Sequence, residues 1–332
     1  MFNQAEIRHV DCSIRGVGRS LTMGLQKTIQ KAVTVNGVGL HSGVHASITL
    51  KPAAPNTGIV FVRSDIKNSP TIEALFRNVV KTQLATTIGK KGVTVSTVEH
   101  VMAAIQGFRI DNLVCEVSGP EVPIMDGSAI TFVNAIESVG IESQVASQKV
   151  LVIKKKVEVK LAEKWAVALP SDTFSVQGSI DWDHPSIGFQ EFTYVEGETD
   201  FKTLANARTF GFLRDVEALK KMGLARGGSL ENAVVLDDAL VLNPDGLRYP
   251  DEFARHKVLD ALGDFKLAGI SILGAIRVHR AGHDLHKLLL QEIFKYEENY
   301  EIVDSSTLQE TSKSRKKTSL KPALARGYAA SY

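Results

Sequence analysis

The stretch FARHKVLDALGD (253–264) has the spacing of an amphipathic α-helix. At about 100° per residue, one side of this helix carries large apolar side chains, namely Val258, Leu262 and Phe265. Three polar side chains follow one another at steps of four: His256, Asp260 and Asp264. Because residues four apart lie on one face of a helix, the sequence predicts a stripe of one imidazole and two carboxylates.

This polar stripe has two interpretations. His256 and Asp260, at positions i and i+4, present a nitrogen and an oxygen from adjacent turns, which suits two ligands of a tetrahedral zinc ion. The alternative is a solvated helix face on which the two side chains pair with each other. The spacing alone does not separate these interpretations.

A second segment, STVEHVMAA (96–104), places Glu99 beside His100 at the predicted first turn of another helix. The structural alternatives are a capping box between Ser96 and Glu99, and a packed or capping imidazole at His100. In the functional interpretation, His100 is a third ligand and Glu99 is the base that accepts a proton from water. Three protein ligands would leave one position of the metal open.

A third segment, RAGHDLHKLL (280–289), places His283 directly after Gly282 at a predicted strand-to-helix turn. His283 could act as an acid or base, or as a clamp for an oxyanion. The alternative is a histidine without function at a helix N-terminus. We expect His286, three residues later, to lie on the surface.

The composition bounds the class of protein. The chain has 332 residues, of which 44% are hydrophobic and 23% charged, which is enough for two domains with cores of their own. No apolar run reaches the roughly eighteen residues of a membrane span. Of the two cysteines, Cys115 lies in the apolar run NLVCEV (112–117), so we exclude a disulfide scaffold and expect a reducing, cytoplasmic setting.

The two ends of the chain differ from its middle. Residues 1–22 lack the apolar region of a secretory signal, so we interpret them as an extension, with Met23 as an alternative start. Residues 306–332 carry about +5 net charge and are expected to form a disordered tail. The alternative is weak attraction of this tail to an anionic membrane surface, whereas the absence of interleaved aromatic residues argues against nucleic acid.

Between these ends, strand patterns precede helix patterns twice, which predicts α+β architecture in two domains. The polar segment QVASQK (144–149) is interpreted as a linker between them. No internal sequence repeat is evident.

Eight short motifs together resemble the zinc-dependent UDP-3-O-acyl-N-acetylglucosamine deacetylases of lipid A biosynthesis. In the order of the chain they are GVGLHSG (37–43), STVEH (96–100), IDNL (110–113), PEVPIMDGSA (120–129), DWDHP (181–185), ARTFGF (207–212), HKVLDALGD (256–264) and GH (282–283). Each motif is weak alone, but the ordered set, over roughly residues 25 to 295, is specific. The resemblance implies hydrolysis of the N-acetyl group of UDP-3-O-acyl-N-acetylglucosamine, which releases acetate and is the committed step of lipid A biosynthesis.

The resemblance also implies a fold of two similar domains, each with a sheet and helices, and with the helices sandwiched between the two sheets. The expected division is an extension (1–22), a first domain (23–147), a second domain (148–300) with an acyl-passage insert (about 213–242), and a basic tail (301–332). The active site would lie at the junction of the domains.

Carried over position by position, the resemblance implies three metal ligands: His100, His256 and Asp260. The metal would be Zn²⁺, with Fe²⁺ as a second possibility. Four residues would have catalytic roles, with Glu99 as general base, His283 as general acid or stabilising cation, Asp264 as the hydrogen-bond partner of His283, and Thr209 as a hydroxyl donor to the oxyanion. Two residues would contact the substrate, Phe210 at the nucleotide-sugar and Lys257 at its diphosphate.

Two other functions use the same ligand types. A two-histidine, one-carboxylate iron oxygenase has a similar ligand set but needs no base such as Glu99. A nucleotide-sugar binding protein with a structural metal would have a fourth protein ligand. In all three cases the sequence leads us to expect a cytoplasmic monomer with no transmembrane segment.

Overall fold

The computed structural model describes residues 24–68 and 70–307. The expected N-terminal extension (1–22) and the basic tail from residue 308 onward lie outside this part of the chain. Within the described ranges there are twenty β-strands, six α-helices and two 3-10 helices. None of the helices in these ranges is long and apolar enough to cross a membrane.

The first half of the described chain is mostly strands, followed by two helices. Its elements are β1 (Leu25–Ile29), β2 (Val33–Val38), β3 (His45–Pro52), β4 (Ile59–Arg63), β5 (Ile72–Glu73), a 3-10 helix (Phe76–Asn78), β6 (Val79–Lys81), β7 (Thr87–Lys90), β8 (Val93–Val95), α1 (Glu99–Gly107), β9 (Leu113–Ser118), α2 (Ile130–Val139) and β10 (Ile141–Ser147).

The second half follows the same general order, with additional elements before its long helix. Its elements are β11 (Lys149–Ile153), β12 (Val157–Leu161), β13 (Lys164–Leu169), β14 (Ser175–Trp182), β15 (Gly188–Val195), α3 (Phe201–Ala205), β16 (Phe210–Phe212), α4 (Leu213–Lys221), β17 (Val234–Leu236), α5 (Glu252–Lys266), β18 (Ser271–Leu273), β19 (Ala275–His279), α6 (His283–Lys295), a 3-10 helix (Glu297–Asn299) and β20 (Tyr300–Asp304).

Two five-stranded sheets have the same topology. The first has the order β2-β3-β9-β4-β5 and the second the order β12-β13-β19-β14-β15. In each sheet only the third and fourth strands of this order are parallel, and the other neighbours are antiparallel. The fold therefore repeats although no repeat is visible in the sequence, which confirms the expected pair of similar α+β domains.

Alternation of apolar and polar residues explains why each sheet has one covered face. In β3, Ala46, Ile48 and Leu50 are buried, whereas the residues between them are more exposed. In β12, Val157 and Val159 are buried in the same way. Successive side chains of a strand point to opposite faces, so each sheet directs its apolar side towards the helices.

Helices α1 and α5 pack against each other in the interior. Both are buried nearly all round, and α5 also packs on β14 and β15 of the second sheet. Gly263 permits this close approach, because a Cβ atom at that position would overlap the backbone carbonyl oxygen of Glu99. The helices therefore lie between the sheets, as expected.

Two segments differ from the sequence expectation. Residues 144–149 were expected to form a linker, but they belong to two strands separated only by Gln148. Strand β10 pairs with β1, and β11 pairs with β18 and β20. Strand β20 continues to Asp304, beyond the expected start of the tail at 301, because its backbone pairs with β11. Polar side chains on the exposed faces of these strands hid the pattern.

The expected insert contains a βαβ unit. Strands β16 and β17 are parallel and are connected through α4, so the unit spans Phe210 to Leu236 and begins three residues before the predicted boundary at 213. Its strands pack on Phe253 at the start of α5. This contact places the unit beside the polar stripe of α5.

Candidate metal centre and active site

The contact between α1 and α5 creates a cleft of about 450 Å³. Glu99 and His100, in the first turn of α1, face His256 and Asp260 on α5 across it. His283, the first residue of α6, lies on the same wall. All five side chains are at least nine-tenths buried, so the polar stripe of α5 is not a solvated face.

Three of these side chains converge. Asp260 Oδ1 lies 3.5 Å from His100 Nε2 and 3.3 Å from His256 Nε2. One potential ligand atom from each residue lies within 4.8 Å of the others. We call His100, His256 and Asp260 the ligand trio.

Hydrogen bonds orient two members of the ligand trio. His256 Nδ1 lies 3.1 Å from the carbonyl oxygen of Ala207 and donates to it, which leaves Nε2 as the lone-pair nitrogen facing Asp260. Lys257 Nζ donates to Asp260 Oδ2 at 2.9 Å, which leaves Oδ1 facing the histidines. Each side chain thus presents one free ligand atom to the same point.

The backbone that holds His256 is itself fixed by a buried ion pair. Glu252 is fully buried at the start of α5 and accepts hydrogen bonds from the Arg208 backbone N–H and guanidinium. Arg208 follows Ala207 directly. The ion pair therefore fixes the position of the Ala207 carbonyl oxygen, which accepts the hydrogen bond from His256 Nδ1. The ARTFGF motif therefore orients a ligand besides contributing to the cleft wall.

The protonation states of the ligand trio suit a cation. Burial lowers the pKa of His256 to about 4 despite the nearby carboxylate of Asp260, so the imidazole is neutral at pH 7. Burial opposes ionisation of Asp260, but the facing His256 imidazole and the Lys257 ammonium hold the pKa of this carboxyl well below its usual value. The trio therefore provides a neutral nitrogen from His256 and an anionic oxygen from Asp260.

The spacing of the ligand trio fits a tetrahedral ion. Ligand atoms about 2.0–2.1 Å from zinc at tetrahedral angles are about 3.3 Å from one another. The two measured separations from Asp260 Oδ1 are 3.3 and 3.5 Å. Among the described residues this group has three members, as in metal centres that keep a position open.

Glu99 lies beside the ligand trio but points to a different partner. Its Oε2 accepts a hydrogen bond from the Thr86 backbone N–H at 3.0 Å, and α1 has no side-chain cap. The proposed capping box with Ser96 is therefore absent at this helix, since Ser96 Oγ pairs with Thr87 Oγ1 instead. Burial raises the pKa of Glu99 to about 7 against the charge of His283, so Glu99 can exchange a proton near neutral pH.

His283 also lines the cleft, with its Nε2 atom 3.9 Å from Glu99 Oε1. Its other nitrogen, Nδ1, donates to Asp264 Oδ2 at 2.7 Å. Burial alone would lower the pKa of His283, but Asp264 and Glu99 outweigh it and raise this pKa to about 10. Burial likewise opposes the charge on Asp264, and the two histidines beside it nevertheless lower its pKa to about 2.

His286 completes this second group. It is 1% exposed, and its Nδ1 donates to the same Asp264 oxygen at 2.8 Å. The expected surface position of His286 is therefore wrong, because α6 turns the residue three positions after His283 towards the same carboxylate. We call Asp264, His283 and His286 the charged trio.

The remaining predicted residues also reach the cleft. Thr209 and Phe210 line it near the ligand trio, and Thr209 is held by backbone hydrogen bonds to Gly127 and Val234. Lys257 lines the cleft as well, with its ammonium 5.5 Å from the Phe210 ring centre. The Lys257 charge is engaged with Asp260 rather than free.

Comparison with known proteins identifies the family. The family described as UDP-3-O-acyl N-acetylglycosamine deacetylase matches residues 26–295. A UDP-3-O-acyl-N-acetylglucosamine deacetylase from Myxococcus xanthus is 51% identical over 279 residues, covering 84% of this chain and 89% of the relative. Proteins of the same name from Hahella chejuensis and Histophilus somni are 47% and 43% identical, covering 84% and 86% of this chain and 93% and 95% of the relatives. The chain belongs to this deacetylase family.

The part matched by the deacetylase family begins in β1 and ends at the last residue of α6. It includes the ligand trio, the charged trio and the whole wall of the cleft. The family membership and the geometry thus concern the same region of the molecule.

Sequence reasoning missed Thr86 as well as His286 beside this cleft. Thr86 donates its backbone N–H to Glu99 and its hydroxyl to Asp264 Oδ1, at 3.0 and 2.6 Å. It is 1% exposed and lies 178 positions from Asp264 along the chain. No spacing rule links residues so far apart. His286 could have been found, because residues three apart on a helix lie on the same face, which places His286 on the same side as His283.

Proposed function

We propose that this protein hydrolyses the N-acetyl group of UDP-3-O-acyl-N-acetylglucosamine and releases acetate. The observation that carries the proposal is the convergence of His100, His256 and Asp260 at an open cleft that Glu99 and His283 also line. The names of the relatives supply the substrate. Amide hydrolysis needs an electrophile, a base and an acid, and the cleft offers residues for each.

We propose that the ligand trio holds Zn²⁺. A zinc ion bound there would supply Lewis acidity, which polarises a carbonyl oxygen and lowers the pKa of a water molecule to about 7. The same residue types also bind Fe²⁺, so metal analysis of the native protein has to distinguish the two ions. The structural support is the donor set and its spacing.

The protein side of the reaction divides between two residues. Glu99, in its ionised form, accepts a proton from the water that attacks the acetyl carbon. When the carbon–nitrogen bond breaks, the amine leaves with a proton, and acetate takes the oxygen of the water. His283, charged at neutral pH, faces the region where negative charge develops and stands where a proton donor to the amine is needed.

Three further residues would bind or stabilise the substrate. We propose that the Thr209 hydroxyl donates to the carbonyl oxygen as its charge grows, and that Phe210 packs against the nucleotide-sugar. Lys257 would attract the diphosphate as a point charge, although it must share this charge with Asp260. The βαβ unit from β16 to β17 would border the acyl chain.

Two competing functions are less well supported by the site. An iron oxygenase would have no use for a carboxylate with a pKa near 7 directly beside a ligand. A binding protein with a structural metal would have a fourth protein ligand, whereas the group among the described residues has three. Neither function explains the opposed pair of Glu99 and His283.

Acetate release from the UDP-sugar tests the proposal directly. Chelation should abolish the release, and added zinc should restore it without any need for oxygen. The variant Glu99→Gln should retain its metal and lose a factor on the order of 10² or more in kcat. The exposed Glu142→Gln serves as the matched control and should act like wild type. Full activity of Glu99→Gln, or activity that requires oxygen, would refute the mechanism.

We also propose that the protein acts as a monomer in the cytoplasm, where UDP-linked sugars are available. Light scattering during gel filtration gives the oligomeric state, and cell fractionation gives the location. For the basic tail, we propose weak contact with anionic membranes. Equal sedimentation of the protein with anionic liposomes, with and without residues 306–332, would contradict that contact.

A further inference from the structure

A second cleft, of about 280 Å³, lies at the other end of α5 from the ligand trio. Residues 56–59 and 73–75 of the first half form one side of it. Residues 266 and 269–270, at and after the C-terminus of α5, form the other side. At about 1.5 Å per residue, Lys266 lies about 9 Å along the helix axis from Asp260. This cleft is therefore separate from the catalytic one.

Lys266 is the unusual residue of the second cleft. It is 5% exposed, yet its ammonium group has no hydrogen bond or ion pair with any residue in the described ranges 24–68 and 70–307. Burial lowers the pKa of Lys266 even though Asp111 and Glu196 favour its charged form. The Lys266 side chain is largely buried, but its nitrogen is accessible from the cleft, so its three donors are open to an acceptor that enters there.

None of the polar groups around Lys266 in the described ranges accepts a hydrogen bond from its ammonium, and most already have other partners. Both carboxylate oxygens of Asp111 already accept hydrogen bonds, one from a backbone N–H and one from a glutamine side chain. The side-chain oxygen of Asn112 accepts from a backbone N–H, and that of Gln26 accepts twice. Glu73, half-buried at the edge, lies 3.6 Å from the guanidinium of Arg77. The cleft thus contains a largely buried lysine whose ammonium has no partner among these groups.

We propose that this cleft binds a small oxyanion, a carboxylate or a phosphate, through the Lys266 ammonium. The volume is close to the lower limit of ordinary ligand pockets, which suits a ligand of only a few heavy atoms. The exposed Lys149, also on the wall, adds a second positive charge. Since both halves line the cleft, a bound oxyanion contacts both and stabilises their packing. This inference is independent of the proposed deacetylation.

Thermal unfolding of the full, metal-loaded chain tests the proposal. Titrations with sodium phosphate, sodium acetate and sodium chloride are compared at constant ionic strength. A bound oxyanion should raise the midpoint temperature in proportion to the logarithm of its concentration above the dissociation constant. A rise with phosphate alone identifies phosphate as the ligand, and a rise with acetate as well identifies the carboxylate class. An equal rise with chloride, or no rise with any oxyanion, would overturn the proposal.

The variant Lys266→Met separates this cleft from the active-site metal, which can also bind oxyanions. Its apparent affinity for the oxyanion should fall by on the order of tenfold or more, while Lys220→Met, which removes an exposed lysine on α4, should behave like wild type. Equal rises in wild type and Lys266→Met would overturn the assignment of the site. If Lys266→Met does not fold, crystals grown in phosphate and in chloride decide the question, because only water beside Lys266 Nζ in both would refute the proposal.

Discussion

The ligand trio and the charged trio use the same residue types for opposite purposes. Each consists of two histidines and one aspartate, each contributes to the wall of the same cleft, and each brings its ligand atoms within 4.8 Å of one another. The pKa of His256 is about 4, whereas that of His283 is about 10. One group is therefore ready for a metal ion, and the other holds a proton.

The difference comes from what each aspartate faces. Asp260 shares its charge with the Lys257 ammonium, so His256 gains too little from it to overcome burial. Among the described residues, Asp264 has no lysine or arginine partner. One of its oxygens accepts hydrogen bonds from two imidazoles, and the other accepts one from the Thr86 hydroxyl. Two carboxylates one helical turn apart thus accompany opposite protonation states of His256 and His283.

Loss of a ligand provides the largest test of this comparison. His256→Ala should lose both the bound metal and nearly all turnover, a loss on the order of 10² to 10⁴ or more in kcat. His283→Ala, its counterpart from the charged trio, should lose activity but keep its metal. Elemental analysis of the purified variants measures the metal, and loss of metal from His283→Ala would mean that the two groups have been assigned the wrong way round.

The contrast between these groups was only partly predictable from the sequence. Steps of four along one helix placed His256, Asp260 and Asp264 on one face, and the repeated order of strands and helices predicted the α+β fold. The split in protonation was not predictable, because it depends on contacts between distant segments, such as Thr86 with Asp264. The strands at residues 144–149 were not predictable for a related reason, because the strands that pair with them, β1 and β20, lie far away along the chain.

The charge of Asp264 is the next point at which the comparison can be tested. Asp264→Asn should lower the pKa of His283 by about 1–3 units, because the largest stabilising charge is removed. His283 acts when protonated, so wild-type activity falls as pH rises through about 10, and this basic limb should move to lower pH in the variant. A pH profile of kcat measures the shift.

Asp284→Asn is the matched control for that profile, since Asp284 adjoins His283 but lies exposed in the cleft wall. It should leave the basic limb in place. An unchanged limb in Asp264→Asn would mean that Asp264 does not set the proton affinity of His283.

Gly263 lies between the aspartates of the two trios and allows α5 to approach α1. Gly263→Ala would force a methyl group against the Glu99 carbonyl oxygen, which should lower the free energy of unfolding by about 1–3 kcal/mol. Denaturant unfolding measures the loss. Gly211→Ala, where the added methyl group meets no atom within 4 Å, should change the free energy of unfolding far less. Equal stability of the two variants would show that the helices have room to separate.

Thr86 provides the smallest and most selective test, because it contacts the base and the charged trio at once. Thr86→Val keeps the backbone N–H that holds Glu99 but removes the hydroxyl that holds Asp264 Oδ1. Loss of one hydrogen bond to a charged group should lower kcat by about tenfold, with KM and metal content unchanged. Thr87→Val, which removes the neighbouring buried hydroxyl paired with Ser96, should leave kcat near the wild-type value. If both variants lose kcat equally, the effect belongs to the packing of β7 and not to the bond between Thr86 and Asp264.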